Sequence, residues 1–128
     1  MALVPAFISF DFEHDQDLRT MLVGQSNFPN SPFAIADYSL KEPLTGNWTQ
    51  KIEGRIKRTK VMIVICGERT HLASGVSEEI KIAQKLAIPY FLLWGRKEKT
   101  CTPPAVASKD LIYEWSWSNL QALVGGSR

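Results

Sequence analysis

The stretch that decides the fold is KVMIVICGERTHLASGVSEEIKIAQKLAIPYFLLWG, residues 60–95. It opens on an apolar, β-branched run at 60–66, the pattern of a central strand buried on both faces. It closes on a second such run at 89–95, where Pro89 stands at the strand start and its missing N–H is tolerated. A helix lies between them. Successive helical residues turn by about 100°. With Glu79 as origin, Val76, Ile80, Ile82, Ala83, Leu86 and Ala87 all fall within about 100° of it, so Glu79 lies inside an apolar stripe. Glu78 falls about 100° away beside Lys81 and Lys85 and reads as a solvated acid with a lysine at i+3. A carboxylate at Glu79 would point at the sheet or along its rim. Such a group is costly unless it is paired, hydrogen-bonded or used. The other reading is an acid in the first helical turn, favoured by the helix dipole.

Working outward, AFISF (6–10) is a candidate first strand, and Asp15 to Gln25 a helix with Leu18, Met21, Leu22 and Gln25 on one face. FAIAD (33–37) is a short second strand. In GNWTQKIEGRIKRT (46–59), Asn47 is the expected N-cap, and Trp48, Ile52 and Ile56 repeat at i, i+4, i+8. DLIYEW (110–115) supplies a fifth strand and SNLQALV (118–124) a last helix. Strand and helix alternating at this spacing mean a parallel α/β sheet. Five strands suggest the flavodoxin-like order 2-1-3-4-5, with the runs at 6–10, 60–66 and 89–95 central and the other two at the edges. Ligands of such sheets bind outside the carboxyl ends of the strands at the switch point, here between the first and third strands. The loops SFDFEHDQD (9–17) and CGERTHLASG (66–75) reach that point, and Glu79 is expected in the first turn of the helix that the second loop feeds.

The 128 residues are enough for one domain with a core, and a hydrophobic share of 45% favours a folded chain. A net charge of +2 does not by itself imply a nucleic-acid partner. The basic run KIEGRIKRTK (51–60) lacks interleaved aromatics on its polar side and reads as a solvated helix face, so nucleic acid is not expected to bind. Cys66 reads as a small core hydrophobe and Cys101 lies in a loop. Neither suggests a disulfide framework, and a reducing cytoplasm is the default. No signal peptide or membrane-spanning segment is expected at MALVPAFISF, and GGSR (125–128) reads as a mobile tail. A phosphate-binding loop and G-x-G-x-x-G are both absent. The third strand ends VICGE without a phosphoacceptor aspartate, and SFDFEHD would repel a flavin phosphate. No Cys/His cluster has zinc spacing, so no metal is expected. His71 is either a solvated loop histidine or a proton carrier near the mouth of the site.

AFISFDFEHD resembles the first box of TIR domains, in which an F-I-S-[YF] strand precedes a polar, acidic loop. THLASGVSEEI resembles the TIR segment that carries a catalytic glutamate followed by Leu or Ile, which places that role on Glu79, before Ile80. IADYSLKE (35–42), with Asp37 and Ser39, and IYEWSWSNL (112–120) extend the likeness. Over nearly its whole length the chain is similar to the TIR-like proteins of the bacterial Thoeris antiphage-defence system, which implies a single TIR-like domain over 1–128. Two departures stand out. Gly75 occupies the position, four before the glutamate, that is usually Trp, and KEPLTGNW (41–48) takes roughly the place of the usual R-D-x-x-P-G loop.

The resemblance implies cleavage of the nicotinamide–ribose bond of NAD, giving ADP-ribose or a cyclised or conjugated derivative as a signal. NAD is then a substrate, and no cofactor or metal is required. Glu79 would be catalytic, and Ser9, Phe10, Asp11, Asp37, Ser39 and His71 are the candidate substrate-binding residues. Phe10 would stack on a ring or belong to the core; Asp11, Asp37 and Ser39 would line the pocket or cap turns. The resemblance also implies self-association through TIR surfaces, a phage-derived trigger, and an effector protein that senses the small-molecule signal. The rival reading is a non-catalytic TIR-like module that binds a protein or a nucleotide; a basic-helix nucleic-acid binder is a weaker third.

Overall fold

Each residue of one strand, Val61–Cys66, is buried, and the rest of the molecule is arranged around it. A computed structural model describes residues 4–37 and 48–126, the side chains of 35–37 and 48 excepted. The expected cap Asn47, the side chain of Trp48, the segment KEPLTGNW up to residue 47, and the last two residues of the expected tail lie outside that description.

The elements run β1 (Val4–Ser9), α1 (Gln16–Ser26), β2 (Phe33–Asp37), α2 (Trp48–Lys57), β3 (Val61–Cys66), α3 (Ser74–Lys85), β4 (Tyr90–Trp94), β5 (Ile112–Glu114) and α4 (Trp117–Val124). Single 3-10 turns at Thr70–Leu72 and Ala105–Ala107 interrupt the loops before α3 and β5. The sheet has five parallel strands in the order β2-β1-β3-β4-β5, a flavodoxin-like three-layer arrangement as the sequence pattern leads one to expect.

The period-2 alternation of β3 divides the core. Ile63 and Ile65 face one side, with Ile8, Leu18, Leu22, Phe91 and Leu120 under α1 and α4. Met62 and Val64 face the other, with Phe7, Ile52, Ile56, Val76, Ile80 and Leu92 under α2 and α3. Burying β3 on both faces is what allows an unbroken apolar run there.

Three expectations need correcting. Met21 is 57% exposed, while Val23 packs against the core instead, so α1 turns a narrower face inward than the spacing suggested. Helix α3 begins at Ser74, ahead of both glutamates, because Val76 is buried and anchors the first turn in the apolar cluster. The stripe also ends before Ala87, which is exposed at φ 57°. The Ile88 N–H donates to the Ala83 carbonyl at 2.9 Å and the Ala87 N–H to Gln84 at 3.2 Å, a Schellman stop with alanine where glycine is usual.

Candidate active site

Ser9 ends β1 and pairs in register with Val64 of β3. Strand alternation sends Phe7 and Ser9 to the α3 side of the sheet and Ile8 and Phe10 to the other. Glu79 comes from the second turn of α3 toward the same place. The Ser9 hydroxyl donates to Glu79 Oε1 at 2.7 Å, and both side chains are buried.

No ion pair reaches Glu79 among the described residues. Burial raises its carboxyl to about 8 against an ordinary 4.5, and the Ser9 hydrogen bond opposes that only in part. At neutral pH the group is mostly protonated. The helix-dipole explanation loses force, because α3 has no acid in its first turn and the dipole acts mainly there. Glu78 behaves as a solvated acid with Lys81 at 3.2 Å, whereas Lys85 reaches Glu53 on α2 at 3.2 Å.

The other candidates are placed as follows. Phe10 is buried in the α1 side of the core, its ring 5.5 Å from that of Phe12. Its strand parity aims it away from Glu79, so the ring is taken up by packing. Asp11 is buried and caps its own loop: Oδ1 accepts from the Glu13 N–H at 3.1 Å, and Oδ2 lies 2.7 Å from His14 Nδ1. Asp37 ends β2 beside Phe7, but its side chain, like all of Ser39, falls outside the described residues. His71 is exposed on the 3-10 turn. A Cβ at Gly75 would meet nothing within 4 Å, so there is room at this position for a side chain. Among the described residues no group of three or more acids, histidines or cysteines is placed to hold a metal ion.

A second buried acid lies in the same loops. Asp15 is 1% exposed and accepts from Arg96 at 3.0 Å. The Arg96 guanidinium also donates to the His14 carbonyl at 3.0 Å and to both oxygens of Asp17 at 2.9 and 3.1 Å. Arg96 therefore ties the exit of β4 to the start of α1. Burial raises the Asp15 carboxyl above its ordinary value although Arg96 opposes the rise, while the same arginine holds Asp17 below its ordinary value. Asp15 Oδ2 makes no hydrogen bond among the described residues and packs against Gly67, where any Cβ would collide with the carboxyl. The Gly67 N–H donates to the buried Thr70 hydroxyl at 2.7 Å, which fixes the root of the loop leading to α3. Asp15, Thr70 and Arg96 were not read as site residues from the sequence. Arg96 stands in the charged run RKEK, where spacing does not single it out.

The model of the Thoeris protein ThsB TIR-like domain family matches residues 7–99. The chain belongs to that family. The match covers Ser9, Glu79 and the Asp15–Arg96 pair. Membership makes this an antiphage-defence TIR protein. A search of curated proteins finds no match. Among the described residues, no helix of this TIR-like chain is long and apolar enough to cross a membrane.

Proposed function

We propose that this TIR-like protein cleaves the nicotinamide–ribose bond of NAD and that Glu79 is the group that makes cleavage possible. The observation carrying the reading is a buried carboxyl at the carboxyl end of β1, bonded among the described residues to one hydroxyl and to no cation. A group kept at that cost is a candidate for chemistry.

Free Glu79 holds its proton near neutrality. A cationic nicotinamide ring beside it would favour the anion and let the proton go. As the C1′–N bond breaks, nicotinamide leaves neutral with the bonding electron pair, and the ribose takes up positive charge. The Glu79 anion stabilises that charge in a site from which water is largely excluded. Water attacking C1′ gives ADP-ribose and one proton; attack by a nucleophile within the same molecule gives a cyclic product. Ser9 holds Glu79 in orientation. Association of copies and a phage-derived trigger would set when the site works, and an effector protein would read the product.

The test is NAD consumption by concentrated, associated protein, with chromatography of the products. Glu79→Gln should lower the rate by roughly two to three decades, the scale for one preorganised electrostatic group. Glu78→Gln gives up a surface pair and should leave the rate within a factor of about two. Equal rates for wild type and Glu79→Gln would remove the enzymatic reading and leave the interaction module.

A further inference from the structure

A cavity of about 530 Å³ opens between α1 and the carboxyl ends of β4 and β5, and neither Ser9 nor Glu79 lines it. Its size is that of a small-ligand site. Two indoles, Trp94 and Trp115, form its walls. Both are oriented by their own N–H groups. That of Trp94 donates to the Arg96 and Lys99 carbonyls at 2.8 and 3.1 Å, and that of Trp115 to Gln25 Oε1 at 2.8 Å. The Trp115 acceptor, Gln25, is itself a lining residue, and both N–H groups are already hydrogen-bonded. Lys97 and Glu114 also line the cavity, and neither forms an ion pair among the described residues. Met21, more than half exposed, supplies an adaptable apolar edge.

We infer that this cavity is a second ligand site, separate from Glu79, for an adenine nucleotide of monophosphate size. The indoles, Glu114 and Lys97 each have a counterpart in such a molecule. A flat purine stacks on an indole face, a contact tolerant of ring type. An exocyclic amine donates to the Glu114 carboxylate. A phosphate takes the Lys97 ammonium in a charge-assisted hydrogen bond. The inference does not depend on the reading of Glu79. The cavity borders the Arg96–Asp15 pair, since Trp94 and Lys97 lie close to Arg96 in the chain.

The experiment follows the indole N–H resonances of the full chain by NMR while AMP, and separately adenosine, is added. AMP should shift the Trp94 and Trp115 resonances. Lys97→Glu, an exposed substitution, should weaken AMP about tenfold and leave adenosine unchanged, the factor for losing one charge-assisted bond. Glu114→Gln should weaken both ligands, and Glu79→Gln should change neither. The inference is overturned if millimolar AMP leaves both indoles unmoved, if Lys97→Glu binds AMP as well as wild type does, or if Glu79→Gln abolishes binding. It is also overturned if these resonances shift with protein concentration alone, which would assign the face to a second copy of the chain.

Discussion

Asp15 and Glu79 are almost equally hidden from solvent, at 1% and 4% exposure, and both belong to loops or helices at the carboxyl ends of the central strands. The difference that matters most in their surroundings is the cation. Asp15 has the Arg96 guanidinium, and among the described residues Glu79 has only the Ser9 hydroxyl. A paired buried acid holds structure together: here it joins α1, the exit of β4 and the root of the loop before α3. Burial raises both carboxyls; at Asp15 a guanidinium opposes the rise, whereas at Glu79 only a hydroxyl among the described residues does, and the group is raised to about 8. The comparison separates a structural carboxylate from a candidate functional one on physical grounds, without reference to the family.

The largest expected effect is on stability against pH. The folded-state value of Glu79, about 8, lies above the ordinary 4.5. Below the lower value both the folded and the unfolded chain hold the proton and the group adds no pH dependence. As pH rises between the two, the unfolded chain ionises first and stability falls by about 1.4 kcal/mol per pH unit, levelling off above the higher value. In urea denaturation at a series of pH values, the stability of Glu79→Gln relative to wild type should therefore increase by several kcal/mol across that window. A constant difference would mean that Glu79 titrates alike in both states.

Next in size is Arg96→Gln. Removing the cation leaves Asp15 buried without a charged partner and should cost about 3 kcal/mol by denaturation at neutral pH. A loss under about 1 kcal/mol would make the pair equivalent to a surface bridge and blur the distinction between the two acids. Ser9→Ala is smaller. It removes one neutral hydrogen bond, a loss of about 1 kcal/mol at acid pH, where Glu79 carries its proton.

Much of this was open to reading in the chain. The strand order followed from alternating apolar runs, and Glu79 stood out because 100° steps put it among Val76, Ile80 and Ala83. Phe10 was also decidable, since strand parity sets it opposite Ser9. The partnership of Ser9 with Glu79 spans 70 residues and depends on how α3 lies over β1, which no local pattern encodes. Arg96 sits 81 residues from Asp15 in a charged run, so its choice of partner is a tertiary fact. The start of α3 was misjudged because small residues such as Ser74 and Gly75 carry weak helical preference, and burial of Val76 overrides it. Its end was misjudged because alanine is the best helix former, yet Ala87 adopts the left-handed conformation of the stop.

The most direct measurement is the titration of the Glu79 side-chain carboxyl by carbon-13 NMR, with the resonance assigned from its absence in Glu79→Gln. The account predicts a midpoint near 8 in the free protein, moving higher in Ser9→Ala as the one opposing hydrogen bond is removed. A midpoint near the ordinary 4.5, unmoved by Ser9→Ala, would contradict it: Glu79 would then be an ordinary solvated acid, and the contrast with Asp15 would disappear.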